Sequence, residues 1–236
     1  MSARISFSAD SRTQTRHARV FPALKEREHH KSNIWIFDSP KNGSRFVIKG
    51  DVAFMHFVLL EGDVSVQRYL PEPPPVTASV DGEVRQTQLD AEVHFVNGEI
   101  EWWEFKRVRD TGPGRSGRAA PQLSAQAQAA SAAGVKYRVL TETELFGQEV
   151  LFDNWLMLCA AMSRCSEQTI NRETDYLLRR LSVQESISFG TLLGDEEWDP
   201  AHVLAAVAKL LQHGVIQADL ERALFGLHTV LTRRTI

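Results

Sequence analysis

Two adjacent segments of this 236-residue chain contain residues that could hold a metal ion. Asp90 precedes an alternating polar and apolar run, while Glu104 and Lys106 are two residues apart in the next run, 99–107. The intervening Asn97-Gly98 pair favours a tight hairpin, which makes the two runs antiparallel strands. Since strand side chains alternate between faces, Glu104 and Lys106 share a face, and Asp90 can approach Glu104 across the hairpin.

Two carboxylates that converge beside a lysine suit the hydrolysis of a phosphodiester. They would bind Mg²⁺, for which Mn²⁺ can substitute, because this ion prefers oxygen ligands and keeps several waters. The metal would polarise the phosphate and lower the pKa of a bound water. Lys106 would orient that water or offset phosphate charge, and the carbonyl of Phe105 is a further candidate ligand. The alternative is a solvated sheet face whose salt bridge contributes little to stability.

The elements around this hairpin predict an α/β fold with a mixed sheet flanked by helices. Gly50 precedes an apolar segment, 51–61, that predicts a buried helix with Asp51 as its N-cap. The remaining elements before residue 147 are predicted as strands at 33–36, 45–48, 64–69 and 135–140, a hairpin around Asp81-Gly82, a helix at 121–133 and a capping box at 141–144.

Beyond residue 147 the pattern becomes mainly helical. Helices are predicted at 153–163, 173–181 and 200–213, followed by short strands at 215–218 and 226–232, which is a winged-helix order. We therefore expect two domains, 1–147 and 148–236. Residues 165–236 carry seven Lys or Arg and ten acids, so this part favours a protein partner over DNA.

Charge and composition restrict the class of protein further. The net charge is −3, but residues 1–50 carry ten Lys or Arg against four acids. This basic arm either contacts phosphates or is a solvated tail. Cys159 and Cys165 do not form a disulfide framework and are expected to be reduced. No run reaches the roughly 18 apolar residues of a membrane helix, so we expect a cytoplasmic protein that does not bind a membrane.

The stretch from Ser44 to Leu145 resembles the TnsA endonuclease subunit of heteromeric, TnsABC-type transposases, within the PD-(D/E)xK nuclease superfamily. The resemblance rests on the order and spacing of several short motifs: Leu60-Glu61-Gly62-Asp63-Val64-Ser65-Val66, Tyr69, Glu72-Pro73, Asp90, Glu104-Phe105-Lys106 and Thr141-Glu142. It implies a restriction-endonuclease-like nuclease domain that cuts double-stranded DNA at the 5′ ends of a transposon with Mg²⁺. It also implies two partners, a TnsB-like transposase and a TnsC-like ATPase that the C-terminal domain contacts.

Two positions depart from the family pattern. The family has a catalytic glutamate on the first helix, where this chain has Ala53, and often a glutamine where it has Glu72. Ala53 is either natural or an introduced Glu→Ala change, and the otherwise intact site favours the second. Asp51 is a poor substitute because it lies about 200° around the helix from position 53. The chain is therefore expected to cut weakly or not at all. Two alternatives remain: a non-catalytic DNA-binding or assembly subunit, and a stand-alone restriction or repair nuclease.

Overall fold

A computed structural model describes residues 33–80, 83–111, 119–194 and 197–234. The predicted arm before residue 33 and the predicted turn at Asp81-Gly82 lie outside these residues. Among the helices described, none is long and apolar enough to cross a membrane.

The described chain begins with a hairpin and the predicted buried helix. Strands β1 (Ile34–Ser39) and β2 (Ser44–Lys49) pair antiparallel and lead into helix α1 (Asp51–Gly62). The predicted N-cap at Asp51 is wrong, because Gly50 holds that position and Asp51 is already helical. The Asp51 carboxylate instead accepts hydrogen bonds from Asn33 and Trp35, each at 2.9 Å. It thus joins β1 to the start of α1.

A mixed sheet follows, as predicted, and it has four strands. In chain order the remaining elements up to residue 145 are β3 (Val66–Pro71), β4 (Val76–Val80), β5 (Glu83–Thr87), β6 (Ala91–Phe95), β7 (Ile100–Phe105), α2 (Val108–Thr111), α3 (Ala119–Ala133), β8 (Lys136–Leu140) and a 3-10 turn (Glu142–Leu145). The sheet order is β3-β6-β7-β8, in which only β7 and β8 are parallel neighbours. Strands β4 and β5 form a separate hairpin that packs on α3.

Helices cover both faces of this sheet. On one face, Phe57 of α1 packs edge-on against Phe105 of β7, with ring centroids 5.3 Å apart. On the other face, Ala125 and Ala129 of α3 pack against Trp102. Because side chains alternate along β7, Phe105 faces α1, whereas Glu104, next to it, and Trp102, three residues before it, face α3.

The C-terminal part contains helices and one small sheet. Its elements are α4 (Glu149–Arg164), α5 (Asn171–Val183), β9 (Ser186–Ser188), α6 (Phe189–Leu193), α7 (Pro200–Gln212), β10 (Ile216–Gln217) and β11 (Val230–Arg233). The three long helices and the last two strands confirm the prediction. Strand β9 was not predicted, since three residues are too few for a periodic signal. It completes a three-stranded sheet of order β10-β11-β9.

One hydrophobic core runs through both parts of the chain. Its buried side chains extend from Phe37 of β1 to Leu231 of β11 and include Leu158 of α4. Helix α4 packs on α1, on β1 and on α7. The boundary between residues 147 and 148 stays a prediction, because this helix joins the two proposed domains through shared packing.

Candidate active site

The β6–β7 hairpin brings the three predicted residues together. Ala91 pairs with Trp103, so Asp90, one residue before β6, lies opposite Glu104. An Asp90 Oδ2 atom accepts a hydrogen bond of 2.7 Å from the backbone N–H of Phe105. The Lys106 ammonium donates to Glu104 Oε1 and forms an ion pair with it. The predicted constellation of Asp90, Glu104 and Lys106 therefore exists as one cluster at the end of two paired strands.

The surroundings of Asp90 strongly perturb its pKa. Burial, followed by the nearby charge of Glu104, raises the pKa of Asp90 to about 7. The hydrogen bond from Phe105 and the charge of Lys106 act in the opposite direction but do not cancel these effects. Lys106 alone therefore does not compensate two carboxylates in this environment, and a further cation would favour the ionised form of Asp90.

Glu104 is almost fully buried, with 1% of its surface exposed, and α3 supplies its additional partners. Gln122 Nε2 donates to Glu104 Oε1 at 3.1 Å, and Gln126 Nε2 donates to Glu104 Oε2 at 2.7 Å. Tyr137 of β8 donates to Gln126 at 2.7 Å. Burial, and then the charges of Glu104 and Asp90, raises the pKa of Tyr137, which keeps its hydroxyl a donor. Sequence reasoning missed these residues, although the spacing of two glutamines four apart on an alanine-rich helix was a usable signal.

The donor atoms present suit Mg²⁺ in type and charge. Within the described ranges no group of three or more His, Cys, Asp or Glu side chains is arranged to hold a metal ion, so the cluster offers two carboxylates. Mg²⁺ is commonly held by one or two carboxylates and completes its shell with waters and substrate oxygens. The raised pKa of Asp90 is consistent with such a site. The Phe105 carbonyl as a ligand stays a prediction.

Ala53 lies in the first turn of α1 and packs against the main core. It precedes His56 by three residues, so the two side chains lie on the same side of the helix. The His56 ring stacks on that of Phe105 at 5.1 Å, on the sheet face opposite Glu104. The role that the resemblance implies for this position stays a prediction.

The second departure from the family pattern lies directly beside the site. The backbone N–H of Glu72 donates to the carbonyl of Asp90 at 2.9 Å, and the charge of Glu72 contributes to the raised pKa of Asp90. Glu72 has a backbone φ of 47°, in the left-handed region that residues other than glycine rarely adopt. Such backbone strain often accompanies functional sites. Glu72 therefore adds negative charge near Asp90, where a glutamine would not.

Glu61, part of the family-like Leu60-Glu61 motif, has a structural place. Its buried carboxylate accepts hydrogen bonds from Ser39, from the Lys41 backbone at 2.9 Å, from Tyr69 at 2.5 Å and from Gln212 at 2.9 Å. Burial raises the pKa of Glu61, and the hydrogen bonds lower it in part. Since Gln212 belongs to α7, this carboxylate joins the N-terminal part to the C-terminal part.

Comparison with protein-family models and with curated proteins found no relative of this chain. No family model matches the chain, and no curated protein matches it. The geometry and chemistry of the cluster thus carry the functional argument, together with the motif resemblance.

Proposed function

We propose that this protein is a Mg²⁺-dependent DNA endonuclease subunit of a TnsA-like kind, with a restriction-endonuclease-like nuclease part. One observation carries the proposal. The half-buried carboxylate of Asp90 and the buried carboxylate of Glu104 lie opposite each other at the end of paired strands, next to Lys106. An ordinary solvated sheet face does not explain this arrangement, because two carboxylates largely withdrawn from water cost free energy unless cations balance them, and Lys106 balances only one.

Each residue of the cluster has a separate task in the proposed reaction. Asp90 and Glu104 would hold Mg²⁺, which supplies an activated water and polarises the scissile phosphate when bound. Lys106 would position the attacking water or offset charge on the phosphate. The Phe105 N–H fixes the orientation of Asp90 through its 2.7 Å hydrogen bond.

The order of the last six elements supports a winged-helix-like C-terminal part that binds a protein. A helix, a strand, two helices and two strands follow one another from α5 to β11. In DNA-reading helix-turn-helix proteins the recognition helix lies in the major groove. Here the third helix, α7, is buried along most of its length, including Val203, Ala206 and Leu210. This burial, together with the excess of acids over Lys and Arg in residues 165–236, favours a protein partner over base reading. The motif resemblance implies a TnsC-like ATPase for this role and a TnsB-like transposase as the second partner.

The test is restoration of the helix acid in the complete chain. Ala53→Glu would be assayed with Mg²⁺, the transposase and ATPase partners, and DNA that carries both transposon ends. We expect strand cleavage near the 5′ ends, whereas the size-matched Ala53→Gln should cut no better than the starting chain. Persistent lack of cleavage by Ala53→Glu would overturn the catalytic assignment. Cleavage by the chain alone would instead support a stand-alone nuclease.

A second candidate is a non-catalytic DNA-binding or assembly subunit. Ala53 supports it, because an alanine cannot ligate a metal ion. The two candidates differ in metal binding. The nuclease requires Mn²⁺ or Mg²⁺ to bind at Asp90 and Glu104, and Asp90→Asn should weaken that binding. An assembly subunit with a decayed site would assemble with its partners equally well with and without Asp90→Asn.

A further inference from the structure

Gln126 is a fully buried polar residue next to the proposed metal ligands, with no surface exposed. Its amide nitrogen donates to Glu104 Oε2 and to the Gln88 carbonyl, each at 2.7 Å. Its amide oxygen accepts from the Tyr137 hydroxyl, also at 2.7 Å. Every hydrogen-bonding direction of this amide but one oxygen lone pair is therefore used.

The partners also fix which way the amide points. In the reversed orientation, the amide oxygen would face a carboxylate and a carbonyl, which are both acceptors. The nitrogen would then face the Tyr137 hydroxyl. Because Gln88 and Glu104 accept without donating, only the observed orientation satisfies all the groups.

This network distinguishes the two oxygens of Glu104. Oε1 accepts from Lys106 and from Gln122, whereas Oε2 accepts from Gln126. A carboxylate oxygen has about two lone-pair positions, so both positions on Oε1 are occupied. Among the contacts of the described residues, Oε2 keeps one position open.

We propose that Gln126 is a positioning residue that holds Glu104 so that Oε2 offers its open lone pair to the metal ion. The proposal rests on the proposed function, because it assigns the residue that orients a ligand of that site. Residues that orient metal ligands commonly contribute about 10- to 100-fold to metal affinity.

A neutral donor suits this position better than a charged one. Asp90 and Glu104 together carry two negative charges when ionised, and Lys106 already offsets one. A second lysine or arginine in place of Gln126 would leave no net charge to attract a divalent cation. The amide instead donates a hydrogen bond to Glu104 without removing charge from the site.

The experiment measures Mn²⁺ affinity of the full chain at pH 8 by calorimetry and by electron paramagnetic resonance. Gln126→Met keeps the side-chain length but removes the amide. Gln128→Met is the matched control, since Gln128 lies on the same helix and is exposed. We expect about 10- to 100-fold weaker binding for Gln126→Met and wild-type binding for Gln128→Met, at a temperature well below both melting points. Equal affinities for wild type and a folded Gln126→Met overturn the proposal.

A second variant decides the matter if Gln126→Met does not fold. Tyr137→Phe removes the O–H that orients the amide but leaves Gln126 in place, and we expect several-fold weaker Mn²⁺ binding. Wild-type affinity in Tyr137→Phe would then overturn the proposal.

Asp90→Asn distinguishes failure of the proposed function from failure of the role of Gln126. If wild type binds no Mn²⁺, the proposed function and this inference both fail. If Asp90→Asn alone loses binding while the Gln126 and Tyr137 variants bind normally, only this inference fails.

Discussion

Replacement of Gly62, the last residue of α1, tests the packing that joins the two parts of the chain. A Cβ atom built at Gly62 would lie 2.1 Å from Cε2 and Nε1 of Trp155 in α4. Nonbonded carbon atoms prefer separations of about 3.5–4.0 Å, so the ring or the helix would have to shift by roughly 1.5 Å. Trp155 is only 4% exposed and packs within the main core, which leaves little room for that shift.

The expected sign is opposite to that of local helix preference. In a helix, alanine is favoured over glycine by about 0.5–1 kcal/mol. Overpacking of a core typically costs about 1–3 kcal/mol. Because the Trp155 ring is bulky, the overpacking cost should lie near the upper end of that range, and the helix preference of alanine offsets part of it. We therefore expect Gly62→Ala to lower the free energy of unfolding by about 2 kcal/mol. For a chain of this size, that corresponds to a melting temperature lower by about 4–8 °C.

Urea unfolding followed by tryptophan fluorescence would measure this difference. Gly226→Ala is the matched control, because no atom lies within 4 Å of a Cβ built there, and it should change stability little. In a Trp155→Phe background the smaller ring should reduce the cost of Gly62→Ala. The reasoning is refuted if Gly62→Ala is as stable as wild type, or if its cost is the same with Trp155 and with Phe at that position.

Three further predictions concern the candidate site. With the pKa of Asp90 raised to about 7, Mn²⁺ must displace a proton below that pH, so affinity should fall about tenfold from pH 8 to pH 6; calorimetry showing a flat profile would contradict this. The raised pKa also means that protonation of Asp90 stabilises the metal-free folded protein. This contribution is fully present below the ordinary pKa of 3.8 and is lost as pH rises through about 7. Asp90→Asn should therefore gain stability relative to wild type at pH 8 but not at pH 4, and equal differences in urea unfolding at both pH values would argue against it. Lys106→Ala should leave partner and DNA binding intact and abolish cleavage restored by Ala53→Glu, whereas loss of the folded state by circular dichroism would show that Lys106 is structural.

The hairpin that carries the site was predictable because its signals are local. Asn97-Gly98 specifies a tight turn, and Gly98 adopts the positive φ of 89° that such a turn uses. The turn sets the register, and the register places Asp90 opposite Glu104. The capping box at Thr141 was likewise predictable and is present.

Features that depend on contacts between distant segments were not predictable in this way. Asp51 has the residue type of an N-cap, but its carboxylate accepts hydrogen bonds from Asn33 and from Trp35 of β1. Strand β9 exists because Ser186–Ser188 pairs with β11, more than forty residues later. Neither outcome follows from the residues next to it in the chain.

The sequence by itself determined the types, spacing and shared face of Asp90, Glu104 and Lys106, because strand geometry repeats every two residues. Only the tertiary structure decided how those groups are held. It brought Gln126 from α3, 22 residues beyond Glu104, and Tyr137 from β8 into one hydrogen-bonded network. It also placed α1, with Ala53, against the opposite face of the sheet. Burial among these elements raises the pKa of Asp90, and burial is a property of the assembled fold.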